Sequence, residues 1–358
     1  MERRVTIKDI ALEAGVSLGA AHYALSGQPG VSEETRARVL AIAQKRNYHA
    51  NRAAASLKRK TIKIGVVFPD IAGVNRFYLS YYWEGQRSYF QSIRDYNIQI
   101  IEKSFRFGEN SLTESWKSLE REDVQGLVCA TGYMNERDKQ TVKRLSENGV
   151  AVALTGEDLP EADAICCVQP NYDVIGRTIA ELLSRQIPAK TSILVCAGQR
   201  EIPSHYEVVQ GMQAFFAGQP EKKILCCYHG QGEQAAPFQE SLEEAFEKDP
   251  EISACFSVTA RDSVILARAL QHSGRAGKLS AVGSDMFLEN VLLLKEGIFT
   301  NLLNKNPYSQ AYMAARYLAE YLIRGTRPPQ RRIYVGSEVV FQSSLPLYEE
   351  DGANRLFL

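Results

Sequence analysis

The chain of 358 residues has no apolar run approaching the roughly 18 residues that a membrane-spanning helix needs. Its first residues, MERRVTIKDIALEAG, hold no stretch that could form a signal-peptide core. The expectation is a cytoplasmic protein with no membrane partner. Cysteine pairs in C-x-x-C spacing are also missing. Cys129, Cys166, Cys167, Cys196, Cys226, Cys227 and Cys255 lie partly in strand-like runs such as AICCV and ILCCY, which predicts buried reduced thiols and neither metal nor disulfide chemistry. Nor is there a G-x-G-x-x-G, a Walker motif, a G-x-S-x-G or an H-E-x-x-H, and the five histidines are scattered. Isolated Thr-Gly and Gly-Ser-Asp loops could each sit by a phosphate or a hydroxyl, but they supply no pair of nucleophile and base. The expectation is a protein that is not an enzyme and has no cofactor and no metal site.

What is present is ordinary globular composition, 45% hydrophobic and 23% charged, in a chain long enough for two or three packed units. Net charge is zero, yet residues 1–60 carry 11 Lys and Arg against 5 Asp and Glu. A small basic head on an acidic body fits a nucleic-acid-binding module attached to something else, although a solvated surface accounts for such a bias as well.

The head reads as three short helices. Thr6 with Asp9 three residues on is an N-cap signal, and Ile7, Ile10 and Ala11 mark one apolar face that stops at Gly15. Ser17 caps a second, alanine-rich helix ended by Gly27-Gln28-Pro29-Gly30. Ser32 caps a third through Arg46 with Val39, Ile42 and Ala43 inward. Two short helices joined by a tight turn and braced by a third predict a helix-turn-helix unit over 1–50. Next comes NRAAASLKRK, too short to hold a helix in water without a partner.

The segments V-T-I-K-D-I-A-L-E-A-G-V-S, V-S-E-E-T-R-A-R-V-L and N-Y-H-A-N-R-A-A-A-S-L follow one another over nearly the whole head. In order and spacing they resemble the LacI/GalR family of transcription regulators. The resemblance implies a homodimer on a pseudo-palindromic double-stranded DNA operator. It also implies that 51–60 is a hinge helix which pairs with its copy in the minor groove, with Leu57 wedged between base steps, Ala54 allowing close approach and cations near phosphates. The DNA-contacting set implied is Thr6, Ser17, Leu18, Gly19, His22, Tyr23, Ser26, Asn51, Arg52, Ala54, Leu57 and Lys58. The second helix departs from the family pattern V-S-x-x-T-V-S-R-x-L. Ala20, Ala21, His22 and Tyr23 stand in the T-V-S-R slots, so the arginine that would read a guanine is absent. His22 and Tyr23 can still donate and stack, or Tyr23 packs inside the head.

From residue 61 the pattern changes to short β-rich runs separated by amphipathic stretches: IKIGVVFPD, IQIIEKS, VQGLVCATG, VAVALTG, ICCVQ, SILVCAG, KILCCYHG, ACFSVTA, LSAVGSD and FTNLLNKN. Such alternation predicts an α/β body of two Rossmann-like parallel-sheet lobes behind the small all-α head. Residues 61–345 are similar to type I periplasmic binding proteins. Val282-Gly283-Ser284-Asp285 followed by Asn306-Pro307-Tyr308-Ser309-Gln310 looks like their sugar-binding pattern. By that resemblance the chain crosses between lobes near 169, 305 and 333. The N-lobe is then about 61–169 and 306–333, the C-lobe about 170–305 and 334–345, and 346–358 is a tail.

Ligands of such sheets bind at the carboxyl ends of the strands. The loops there offer Asn75, Arg76, Phe77, Tyr78, Thr131, Asn171, Tyr206, Thr259, Arg261, Asp262, Asp285 and Lys305, rings for a sugar face with amides and carboxylates for its hydroxyls. Asp285 falls on the family's ligand-binding aspartate. Lys305 replaces the usual glutamine, which tilts the expected small-molecule effector from a plain sugar toward one carrying a carboxylate or phosphate, unless Lys305 pairs with a neighbouring acid. Other slots depart too: His205 and Tyr206 fall where an arginine is usual, and Glu157 and Asp158 lie near the place of a missing aspartate. The reading is a DNA-binding regulator, acting as a repressor, controlled by a small polar effector. The alternatives are a solute-binding protein and a regulator that answers to a protein partner through a vestigial pocket.

Overall fold

The structure, a computed structural model, describes residues 5–26, 29–46, 60–106, 112–230 and 234–349. Asn51, Arg52, Ala54, Leu57 and Lys58 of the expected DNA-contacting set, with the hinge they belong to, lie outside the described residues, as does the Ser26 side chain. The chain divides into two units, Met1–Thr61 with Arg94–Ile98, and the remainder.

In the first unit, α1 (Ile7–Ala14), α2 (Leu18–Ser26) and α3 (Glu33–Lys45) pack around Ile10, Ala14, Ala24 and Val39. Each start has the cap its sequence announces. Thr6 and Asp9 bond reciprocally in a capping box, Ser17 Oγ accepts from Ala20 N at 3.1 Å, and Ser32 Oγ accepts from Thr35 N at 3.2 Å. Gly15 ends α1 at φ 65°, a left-handed conformation that a glycine takes without strain. Ile42, expected inward, is half-buried.

The second unit holds two six-stranded sheets. In chain order its elements are β1 (Ile62–Pro69), α4 (Arg76–Ser92), β2 (Ile98–Phe105), α5 (Leu112–Arg121), β3 (Gly126–Cys129), α6 (Glu136–Glu147), β4 (Ala151–Thr155), β5 (Ala164–Gln169) and α7 (Tyr172–Ser184). They continue as β6 (Thr191–Cys196), α8 (Pro203–Phe216), β7 (Lys222–Cys227), α9 (Ala235–Lys248), β8 (Ile252–Ser257), α10 (Ala260–His272), β9 (Ser280–Ser284) and α11 (Leu288–Lys295). The last are β10 (Asn301–Asn304), α12 (Pro307–Arg324), β11 (Arg332–Tyr334), β12 (Glu338–Val340) and α13 (Pro346–Glu349).

The N-lobe sheet has the order β11-β5-β4-β3-β1-β2 and the C-lobe sheet β12-β10-β9-β8-β6-β7. The pairs β1 with β3, β3 with β4, β4 with β5, and β6 with β7 and β8 are all parallel. β12, which the chain enters directly from β11 of the other sheet, is antiparallel to β10. The first ten strands coincide with the β-rich runs of the sequence. β11 and β12 went unread, since three-residue strands are too short to show a period. They mark the third passage between lobes, which falls between Tyr334 and Glu338.

The inner strands bury Val, Ile, Leu and Cys on both faces, as parallel sheets covered by helices do. All seven cysteines are free; five are buried, while Cys226 and Cys227 are half-buried. Close helix packing within the C-lobe depends on Gly176 of α7 and Gly211 of α8. A Cβ on Gly176 would lie 2.0 Å from the Val208 carbonyl, and one on Gly211 would lie 2.2 Å from that of Asp173. The expected tail starts with α13, whose Tyr348 packs on the C-lobe core and donates to Glu338 Oε2 at 2.9 Å. No helix of the described residues is long and apolar enough to cross a membrane.

Candidate functional site

The head presents one outward stripe. Ala21 and Ala24 of α2 face the core, so the helical repeat turns Gly19, His22 and Tyr23 away from it, with Leu18 on the flank, and all four are exposed. Tyr23 is 43% exposed, and its ring also rests against Gly30, where a Cβ would come within 3.2 Å of Cδ2. It is therefore braced at one edge and open at the other. Arg36 of α3 donates to the carbonyls of Tyr23 and Ala24 at 3.1 and 3.2 Å and satisfies the end of α2. Thr6 and Ser17 use their hydroxyls as helix caps and remain at the surface.

In the second unit the carboxyl ends of both sheets converge on a cleft. From the C-lobe, Asp285 follows β9 and Lys305 follows β10. Lys305 Nζ lies 2.9 Å from Asp285 Oδ2 and donates to the Val258 carbonyl at 2.7 Å, while its own N–H donates to Asp285 Oδ1 at 3.2 Å. Asp285 is fully buried and sits at φ 70°, held there by its N–H bond to the Leu303 carbonyl. Burial pushes its carboxyl above the usual aspartate range, against the pull of Lys305. The positive charge that suggested an anionic effector is thus matched inside the chain. Asp262 on α10 is fully buried and lies 3.2 Å from His229 Nε2. Burial would lower His229, but the Asp262 carboxylate outweighs it and the imidazole is raised. His205, half-buried near them, is pulled down to about 4 by desolvation and then by Lys305, and its Nδ1 accepts from Gln199 N.

The N-lobe contributes three tyrosines, Tyr78, Tyr82 and Tyr133, and Tyr172 at the start of α7 joins them from the C-lobe; burial holds all four protonated. Gln310 of α12 donates to Tyr78 Oη at 3.0 Å and accepts from Tyr82 Oη at 2.7 Å, and Tyr172 donates to the Gly156 carbonyl at 2.7 Å. Thr131 donates to the Glu157 carbonyl. Burial raises Glu157, whose Oε1 accepts from Ser204 Oγ of the C-lobe at 2.6 Å. Phe77 of α4 stacks on Phe287 of the C-lobe with centroids 4.4 Å apart.

Of the expected effector residues, Phe77, Tyr78, Thr131, Asp285 and Lys305 share this cleft, with Asp262 packed beneath it. Asn75 bonds weakly to Asp70 at 3.5 Å. Asn171 and Thr259 use their oxygens as N-caps of α7 and α10, and Tyr206 stays 46% exposed on α8. Tyr82, Tyr133, Tyr172, His229 and Phe287 were not read from the sequence. Tyr133, Tyr172 and Phe287 each follow a residue that was singled out by one or two positions, so the loop signal was there; Tyr82, inside a helix, carried none. Among the described residues no group of three His, Cys, Asp or Glu could hold a metal.

Comparison with known proteins agrees with this architecture. The family model of the periplasmic binding protein domain matches residues 119–326, more than half of the chain, and that of bacterial regulatory proteins, lacI family, matches 6–51. Catabolite control protein A of Staphylococcus epidermidis is 26% identical over 210 residues, 58% of this chain and 60% of that protein, so the match spans less than two thirds of the relative. An ABC transporter solute-binding protein of Burkholderia graminis in complex with D-arabinose superposes with TM-score 0.70 at 17% identity, covering 80% of this chain and 97% of the other. A periplasmic ribose ABC transporter protein of Conexibacter woesei gives TM-score 0.71 at 16% identity, covering 82% and 96%. With a capped three-helix head in front of two parallel-sheet lobes, and a model matching each part, the chain belongs to the lacI family of bacterial regulatory proteins and carries a periplasmic binding protein domain.

Proposed function

We propose that this protein is a cytoplasmic transcription regulator, acting as a repressor, that binds a pseudo-palindromic DNA operator as a homodimer and answers to a small polar ligand in the cleft. The observation that carries the reading is the outward stripe Leu18, Gly19, His22 and Tyr23 on the second helix of a capped head. A recognition helix reads base edges with side chains of this kind, and two-fold protein symmetry imposes two-fold operator symmetry. With no arginine on the stripe, His22 and Tyr23 supply hydrogen bonds and apolar contact in place of a bidentate guanine contact. Arg52, Lys58, Arg59 and Lys60 neutralise phosphates, and Leu57 unstacks the central step. The name of the staphylococcal relative supports a regulatory role, and the D-arabinose bound to the Burkholderia protein supports a sugar-like ligand.

Selection of binding sites from a random duplex library by the full-length protein tests this. The expected result is a pseudo-palindromic consensus whose affinity falls steeply with added salt. Salt-insensitive binding, or tight binding of one head to a single half-site, overturns it.

A further inference from the structure

In a cleft that closes on a ligand, the polar atoms of the site look toward the ligand; here they look toward one another. Asp285, the carboxylate placed to accept from ligand hydroxyls, has one oxygen 2.9 Å from Lys305 Nζ and the other bonded to the Lys305 N–H. The ammonium completes its shell with the Val258 carbonyl at 2.7 Å and the face of Tyr78, whose centroid is 5.5 Å away. Tyr78 belongs to the opposite lobe and is tied through Gln310 Nε2, which also donates to the Lys305 carbonyl at 2.8 Å. Further contacts join the lobes: the Phe77–Phe287 stack, the Arg76–Glu289 ion pair at 2.9 Å, and the Glu157–Ser204 and Tyr172–Gly156 hydrogen bonds. The closed arrangement therefore has, with no ligand, the pairings that a ligand usually provides.

We infer that Lys305 is the specificity-determining residue of the cleft: its ammonium is a tethered stand-in for a ligand, occupying Asp285 and holding the lobes together, so that neutral sugars are refused. This rests on the reading of the cleft as the effector site. The physical reason is effective concentration. A cation on the next residue after β10 meets Asp285 without the loss of translational freedom that a free ligand suffers, and hydroxyls cannot replace its charge in a site this dry.

Two measurements on the full-length protein test the inference. The first is amine labelling of ligand-free wild type, read by mass spectrometry. Lys305, whose side chain is 10% exposed, should label at least about tenfold more slowly than Lys190, at 73%. Equal rates mean that the cleft stands open and overturn the inference. The second is a thermal-shift series with D-ribose, D-arabinose, D-glucose and D-galactose on wild type and Lys305→Gln. Wild type should not respond. Lys305→Gln should gain a rise of about 2–4 °C with at least one sugar at about ten times its Kd. A sugar-dependent rise in wild type overturns the inference while leaving the cleft as a ligand site. Silence of both proteins overturns it together with the cleft reading, and if Lys305→Gln does not fold, labelling and sugar response of wild type decide.

Discussion

The head and the cleft hold their recognition groups in opposite ways. Leu18, Gly19, His22 and Tyr23 stand in solvent on a helix whose stability comes from Ala21 and Ala24 beneath it, so binding and folding are divided between two faces. In the cleft, Asp285 and Lys305 are buried and paired with each other, Asp262 is buried against His229 and Tyr82 against Gln310, so the same side chains serve recognition and stability. A surface reader can change its target by substitution at little structural cost. A buried reader cannot, because each polar group removed leaves a partner unpaired.

The sharpest break of this comparison is Asp285→Ala. It strands the Lys305 ammonium in a dry site, and the expected loss is about 3–5 kcal/mol of unfolding free energy by denaturant titration. A loss under about 1 kcal/mol would show that the pair is solvated and that the cleft behaves like the head.

In the head, stability should sit in the caps. Thr6→Ala removes a reciprocal capping box and should cost about 1 kcal/mol, seen as a lower denaturation midpoint of the first unit. Thr6→Ser should restore most of it, whereas a loss equal to that of Asp285→Ala would erase the contrast.

Glu157→Gln should act with the opposite sign. Burial holds the Glu157 carboxyl above the glutamate range of the unfolded chain, so its favourable contribution is complete below that range and disappears as pH rises through the folded value. Glutamine keeps an oxygen for Ser204 and carries no charge. The variant should melt above wild type at neutral pH, and the two should converge when pH falls below about 4, near the unfolded glutamate value. A gap that widens on acidification would mean that the carboxylate is stabilised where it lies.

Least should happen to stability in Tyr23→Ala, within about 0.5 kcal/mol, because half of the ring is already in water. Operator affinity, by contrast, should fall by about 1–3 kcal/mol in a fluorescence-anisotropy titration. Earlier melting with unchanged DNA binding would assign Tyr23 to the head core through its contact with Gly30.

Short-range information was enough for much of this molecule. Caps at Thr6, Ser17 and Ser32 decide where helices begin because a hydroxyl reaches a free N–H only three residues away. Eight of the ten β-rich runs become largely buried parallel strands, because only covered sheets can take side chains so apolar on both faces, while the edge strands β2 and β7 stay partly exposed. The position of Asp285 after such a run already placed it at a sheet's carboxyl end.

What the sequence could not decide was partnership across distance. Whether Lys305 would meet an anionic ligand or Asp285, 20 residues earlier, depends on the adjacent ends of β9 and β10. Glu157 meets Ser204, and Phe77 meets Phe287, only because the two sheets' lobes face each other. Asn171 and Thr259 looked like ligand groups until their helices claimed them as caps. Local chemistry settles which groups a chain offers, and tertiary structure settles which of them are still free, since a hydrogen bond is short and most of these partners lie far apart in the chain.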